Sequence, residues 1–276
     1  MSATGPFATM ATGALSSIML SKTAMPGKTA AKKSTKKSAA KATPAKSTIK
    51  PRKATAASRK QALAPERIQT ILDLLAAAYP GAECALIHKD AWQLLVATIL
   101  SAQCTDARVN MVTPVLFKTY PTPADMAAAP IDEIKEIIRT TGFYNNKAKS
   151  IQGAAKKILT DFHGKVPRKM EELLTVPGAA RKTANVVLGV AYGLAVGVVV
   201  DTHVLRLSRR LGLTTETTPE KVEQDLMKII PKDRWIAFSH ELIHHGRLIC
   251  IARKPRCVDC SLEKVCNSGD KTWSTH

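Results

Sequence analysis

The chain has 276 residues, 45% of them hydrophobic, enough to bury a sizeable core in one large or two small domains. Its formal net charge of +19, with a pI near 9.8, points to a polyanionic partner: nucleic acid or an anionic membrane surface. No apolar run approaches the roughly 20 residues of a membrane-spanning helix, which excludes an integral helical membrane protein.

The charge is uneven. Thirteen of the 41 Lys and Arg residues precede the first acidic residue, Glu66. This segment is rich in Ala, Lys, Ser, Thr and Pro, with runs such as A-A-K-K-S-T-K-K-S-A-A-K that resemble histone-tail sequence. It holds too little apolar surface to offset its ordering entropy, so residues 1–62 are expected to be a disordered basic tail. Such a tail raises general DNA affinity by counterion release, an effect that fades with salt. The first twenty residues lack both the basic start and the long apolar run of a secretory signal, and they lack the Arg of a transit peptide. Clustered cysteines without a secretory signal fit a reducing compartment. A nucleoid-associated protein of a bacterial cytoplasm is the expectation, with the tail leaving nucleus or organelle open.

Helical periodicity begins after Leu63. Pro65 suits a helix start, and Ile68, Ile71, Leu72 and Leu75 recur at helical spacing as far as Pro80-Gly81. An apolar helix is predicted over 91–102 and another from Thr105-Asp106, with Asp106 as the cap candidate. An amphipathic helix comes next over 131–140, ended by Gly142, and a further one runs over 146–162. Helical patterns also cover 167–174, 181–192, 202–211, 219–229 and 234–246. The run Val196-Gly197-Val198-Val199-Val200 looks like a strand but stands alone. The prediction is an all-α fold of about ten short helices.

Residues 173–187, L-L-T-V-P-G-A-A-R-K-T-A-N-V-V, read as a helix, a Pro177-Gly178 turn and a new helix from about Arg181. The new helix offers free N–H groups and its positive dipole end to a phosphate, with Arg181 and Lys182 at the mouth. The same field and the Arg181 charge would favour the neutral amine of Lys182, the form a nucleophile needs. Taken alone, a Lys at a helix start is usually a solvated surface residue. Further on, Asp201-Thr202-His203 opens another helix. Asp201 is either a cap or a carboxylate facing Lys182.

Four of the six cysteines, Cys250, Cys257, Cys260 and Cys266, are spaced C-x6-C-x2-C-x5-C, with Arg253, Lys254 and Arg256 in the first loop. Four thiolates can hold zinc or a [4Fe–4S] cluster, and the spacing alone does not choose. Cys84 and Cys104 read as buried small side chains.

V-P-G-A-A-R-K-T-A-N-V-V, then V-D-T-H-V-L-R-L-S-R-R, then the four cysteines, in that order, resemble the endonuclease III family of helix-hairpin-helix DNA glycosylases. The likeness covers about residues 63–268. It implies a six-helix barrel at 86–196 carrying the hairpin, and a second helical part, 63–85 plus 197–276, carrying a [4Fe–4S] cluster. It also implies a bifunctional DNA glycosylase and AP lyase that flips an oxidised pyrimidine out of duplex DNA, acting as a monomer. By the resemblance Lys182 is the nucleophile at the sugar C1′. Asp201 assists base loss. Cleavage 3′ to the abasic site then occurs by β-elimination. S-A-Q-C-T-D puts Gln103 in the role of filling the space left by the base, with Asp106 near the pocket. Gly142-Phe143-Tyr144-Asn145 makes Phe143 the apolar wedge, although from the residues alone it reads as core. Gly178, Ala180, Arg181, Thr183 and His203 become DNA-contact candidates, His203 with a capping or core role as the alternative. Arg253, Lys254 and Arg256 become phosphate contacts. The chain departs from the family at the hairpin, where Ala180 replaces a second glycine. If that position is left-handed, alanine costs about 1–2 kcal/mol there, and Ala180→Gly is expected to tighten duplex binding. A rival reading is a DNA-binding, chromatin-associated module of the same fold with weak catalysis. A second rival is a zinc-bound structural protein.

Overall fold

A computed structural model describes residues 61–272. The predicted basic tail, apart from Gln61 and Ala62, lies outside the described residues. Among the described residues the regular structure is entirely helical. In chain order α1 is Pro65–Ala78, α2 Ala91–Leu100, α3 Asp106–Thr119, α4 Pro123–Ala128, α5 Ile131–Ile138 and α6 Tyr144–Phe162. Beyond these come α7 at Met170–Leu173, α8 at Arg181–Val186, α9 at Thr202–Arg210, α10 at Pro219–Ile229 and α11 at Trp235–Leu248.

Local chemistry explains many of the ends. Pro65 occupies the first turn of α1, where its missing N–H costs nothing. Asp90 caps α2 by accepting from the Gln93 amide at 2.8 Å. Thr122 and Asp125 form a reciprocal capping box at α4. The predicted Asp106 cap is displaced by one residue: Thr105 caps α3, accepting from Arg108 N at 3.3 Å, and Asp106 is the first helical residue. The pattern read over 167–174 becomes helical only at α7. The helix expected over 181–192 is α-helical to Val186 and then widens into a π-turn over Val187–Ala191.

Two apolar cores organise the chain. One gathers side chains of α2 to α8, including Leu94, Leu116, Ile134, Ile151 and Leu188. The other gathers α1 and α9 to α11, including Ile71, Leu75, Leu207, Leu226 and Phe238. Each fully buried Leu, Ile or Phe among them contributes about 1.5–3 kcal/mol relative to exposure. The strand-like run lies between the cores. Val198 and Val200 pack into the second core, while Val199 packs into the first. The run thus serves two helical cores and, among the described residues, no sheet. The Val199 amide is satisfied by Ser239 Oγ of α11, at 3.1 Å.

Candidate active-site cleft and cysteine site

The hairpin turn joins α7 to α8. The Ala179 amide donates to Val176 O at 3.0 Å, and Gly178 adopts φ +81°. A Cβ at Gly178 would lie 3.0 Å from Ser150 Cβ and 3.2 Å from Ile99 Cδ1, so both backbone angle and space require glycine. Ala180 differs from expectation. It is extended, at φ −73° and ψ 169°, as the N-cap of α8. Alanine carries no left-handed penalty there, and the tighter binding expected of Ala180→Gly loses its basis.

Lys182 is the second residue of α8 and is exposed. Arg181 does not stand free beside it, as the sequence suggests. Its Nε and Nη2 donate to Glu223 Oε2 and Oε1 at 2.7 and 3.1 Å, and Asn185 Nδ2 donates to Oε1 at 2.8 Å. These bonds with the buried Glu223 raise the guanidinium pKa above its ordinary value. They also offset the positive field that Arg181 would otherwise exert on Lys182.

Asp201 is the N-cap of α9. Its Oδ1 accepts from the amides of His203 and Val204, both at 2.8 Å. Oδ2 has no hydrogen-bond partner among the described residues. The cap uses one oxygen, and a carboxylate has a second. Lys182 and Asp201 line one cleft with Thr98, Ser101, Asp106 and Arg247. One lobe runs under Cys84, Leu86 and His240, and holds about 560 Å³ of open space. The other, of about 970 Å³, is bounded by Gln103, Cys104, Thr183, Thr202 and His203. Asp106 lies at this cleft, as expected, and Arg247 Nη2 donates to its Oδ2 at 2.6 Å. Thr183 is 8% exposed, so it forms cleft floor more than an open contact surface. The His203 ring packs against Gly246, and its Nδ1 lies 3.2 Å from Arg206 Nη2. Burial pushes its pKa down.

Gln103 and Phe143 both have positive φ, 54° and 48°, and both are exposed, Phe143 by 69%. A non-glycine residue in that conformation costs about 1–2 kcal/mol and persists only where its surroundings enforce it. The reading of Phe143 as core is overturned by its exposure.

The four cysteines line one cavity of about 340 Å³, which Arg210, Arg256 and Lys271 also border. Arg210 Nη1 donates to Cys250 Sγ at 3.2 Å and to Ile251 O at 2.8 Å, and the Thr272 amide donates to Cys257 Sγ at 3.4 Å. His245 Nε2 lies 3.4 Å from Cys260 Sγ, while its Nδ1 is 2.8 Å from the Tyr79 hydroxyl. Burial, reinforced by the other sulfurs, pushes the Cys260 thiol up to about 11. Among the described residues no three Cys, His, Asp or Glu side chains converge to hold one metal ion. Arg253 and Lys254 are exposed on the first loop, and Lys254 has φ 53°. Arg256 is paired with Asp259, Nη2 to Oδ2 at 3.1 Å, so its charge is partly offset.

Sequence reasoning missed four residues that hold these sites. Arg206 and Arg210, one turn apart on α9, brace the Cys250 segment; Arg206 Nη2 donates to Gly246 O and Cys250 O, both at 2.9 Å. Their i, i+4 spacing was the available signal. Glu223 lies on the buried stripe of α10 with Val222 and Leu226. Lys147 lies on the apolar stripe of α6 with Ile151, Ala154, Ala155 and Ile158. A charged residue on an apolar stripe was the signal for each.

A helical hairpin thus presents a lysine to a cleft that a helix-capping carboxylate also lines, and comparison with known proteins places this fold among the helix-hairpin-helix base excision repair proteins. Residues 96–232 match the HhH-GPD superfamily base excision DNA repair protein. Over 210 residues the chain is 57% identical to endonuclease III of Synechocystis sp., covering 76% of this chain and 96% of that protein. It is 45% identical to endonuclease III of Bacillus subtilis, covering 75% and 94%. Among solved structures, a non-covalent endonuclease III–DNA complex is similar at 44% identity and TM-score 0.71, covering 74% of this chain and 96% of that one. A trapped endonuclease III–DNA covalent intermediate matches at 45% identity and the same TM-score. The chain belongs to the endonuclease III family, the DNA glycosylase/AP lyases of base excision repair.

Proposed function

We propose that the protein removes oxidised pyrimidines from duplex DNA and cleaves the strand 3′ to the resulting abasic site. Lys182 is the nucleophile. Its Nζ lone pair forms the bond to the sugar C1′ as the damaged base leaves with the glycosidic electron pair. Ring opening gives an iminium between Nζ and C1′. This acidifies C2′, and loss of a 2′ proton expels the 3′ phosphate oxygen. Asp201 stabilises the cationic sugar through the charge on its free Oδ2. The observation that carries this reading is that Lys182 and Asp201 line one cleft, with one Asp201 oxygen left without a hydrogen-bond partner among the described residues.

Gln103 and Phe143 enter the duplex as the base is extruded, repaying part of an unstacking cost of a few kcal/mol. Their exposure and enforced left-handed backbone support this role. Gly178 and Ala180 bring the hairpin backbone to a phosphate, and Arg253 and Lys254 add cationic contacts. Arg181 supports the hairpin through Glu223 more than it contacts DNA. The two apolar cores support a division into 86–196 and 63–85 plus 197–276.

Cys250, Cys257, Cys260 and Cys266 would hold a [4Fe–4S] cluster. Four cysteines lining one cavity are the donor set that such a cluster takes. Bound, the cluster supplies a rigid cross-link that presents the first loop to DNA.

Borohydride trapping tests the lyase assignment. A duplex carrying one thymine glycol is mixed with the protein and borohydride, with Lys182→Ala beside it. We expect a covalent protein–DNA band that vanishes in the variant. No band on that duplex or on an abasic one sinks the assignment and favours a DNA-binding module.

A further inference from the structure

The Lys147 side chain is 5% exposed, yet no carboxylate pairs with it among the described residues. Its Nζ donates to Leu100 O and to Thr141 O, each at 2.8 Å. Both acceptors are carbonyls at helix ends: Leu100 is the last residue of α2, and Thr141 ends the 3-10 turn at Arg139–Thr141. Such carbonyls lack partners within their helices and carry the negative end of the dipole. Lys147 thus caps two helix C-termini with one ammonium.

Each of these carbonyls stands at the root of a loop that faces solvent. Leu100 is three residues before Gln103, and Thr141 is two before Phe143. The Lys147 amide also donates to Phe143 O at 3.1 Å. One residue therefore grips the chain on both sides of the left-handed Phe143 and at the root of the left-handed Gln103 turn. For packing alone, an apolar side chain at this buried position would avoid the cost of desolvating an amine. Burial lowers the Lys147 pKa, and the amine can donate to both carbonyls in either protonation state.

We infer that Lys147 is a positioning residue that fixes the Gln103 and Phe143 loops as one two-pronged wedge. The inference rests on the reading of those two side chains as the ones inserted into DNA. Without the clamp the two prongs move independently, and extrusion of the base loses its rigid template.

The test is single-turnover excision of a thymine glycol from a duplex. Lys147→Met keeps the apolar stem and deletes the donors. We expect its excision rate to fall about 100-fold, the loss typical of a misplacement near 1 Å. Lys147→Arg restores donors to the site and should recover most of the rate. In a Gln103→Ala/Phe143→Ala background, Lys147→Met should add less than about threefold, because groups acting as a unit are strongly non-additive. An equal fold-loss in both backgrounds, or no loss in the wild type, overturns the inference, since a role confined to stability is additive. If the double alanine variant excises like the wild type, the insertion reading itself fails, separately from Lys147. Thermal melts accompany each variant. Should Lys147→Met not fold, Lys147→Gln, with one carbonyl bond retained, takes its place in the same cycle.

Discussion

Two substitutions two residues apart in the hairpin should behave oppositely. Gly178→Ala forces an L side chain into φ +81°, which costs about 1–2 kcal/mol. The new methyl also meets Ser150 Cβ at 3.0 Å, an atom fixed to the α6 backbone, and Ile99 Cδ1 at 3.2 Å. Overpacking of this kind adds about 1–3 kcal/mol, for a total of about 2–5 kcal/mol. Ala180→Gly changes a residue at φ −73° that any side chain adopts. Greater unfolded-state freedom costs about 0.4–1 kcal/mol, and glycine's advantage over alanine at an N-cap offsets part of it. The net should stay within about 0.5 kcal/mol, with duplex affinity unchanged within about twofold. Thermal unfolding followed by circular dichroism reads both. Gly178→Ala should lower Tm by about 4–20 °C at about 2–4 °C per kcal/mol for a domain of this size. A gain of more than about 1 kcal/mol from Ala180→Gly, or tenfold tighter binding, would refute the extended backbone at Ala180.

Asp201→Asn separates the two roles of Asp201. Asparagine caps a helix about as well as aspartate, so stability should hold within about 0.5 kcal/mol, while excision should fall by about two orders of magnitude with the charge at Oδ2 removed. Intact excision would show that Asp201 is only a cap. His240 is 9% exposed, and burial, then His244 and Arg247, push its pKa below the usual 6.5 despite Glu83. Below about pH 6.5 the unfolded chain takes up a proton that the folded site resists, so stability should fall as pH drops through that value. His240→Gln should flatten this slope in urea unfolding measured at a series of pH values; an unchanged slope assigns the dependence to other groups.

Helical periodicity made the elements legible, because amphipathic stripes such as Ile68, Ile71, Leu72 and Leu75 face one core each. The cleft lysine, the capping aspartate and the cysteine set were legible for a different reason: their motifs, in order, carry the family resemblance, whereas a lone lysine at a helix start reads as solvated. Three things were not. The φ of Ala180 depends on how the turn meets α6, which no local pattern records. Phe143 is apolar, and nothing local says that it faces water. The partners of Arg181 and Lys147 lie at sequence separations of 42 and 47 residues, beyond any local signal.

The cleft is built where two cores meet, and its geometry depends on links that cross between them. α8 is rooted in the first core through Ala184, Val187 and Leu188, and α9 in the second through Val204 and Leu207. Each helix presents its first residues to the cleft, which Lys182 and Asp201 both line. Apolar packing alone would fix each helix to its own core and leave their separation loose. Glu223 ties Arg181, the neighbour of Lys182, to α10 of the second core, and Arg247 of α11 ties to Asp106 of α3 in the first. The Glu223 carboxylate also fills the space where Gly197 passes: a Cβ there would lie 2.1 Å from Oε1. Gly197 lies in the segment that threads between the cores toward Asp201. Directional bonds of this kind, anchored on a buried acid, hold Lys182 and Asp201 in register to a tolerance that hydrophobic contact alone does not provide.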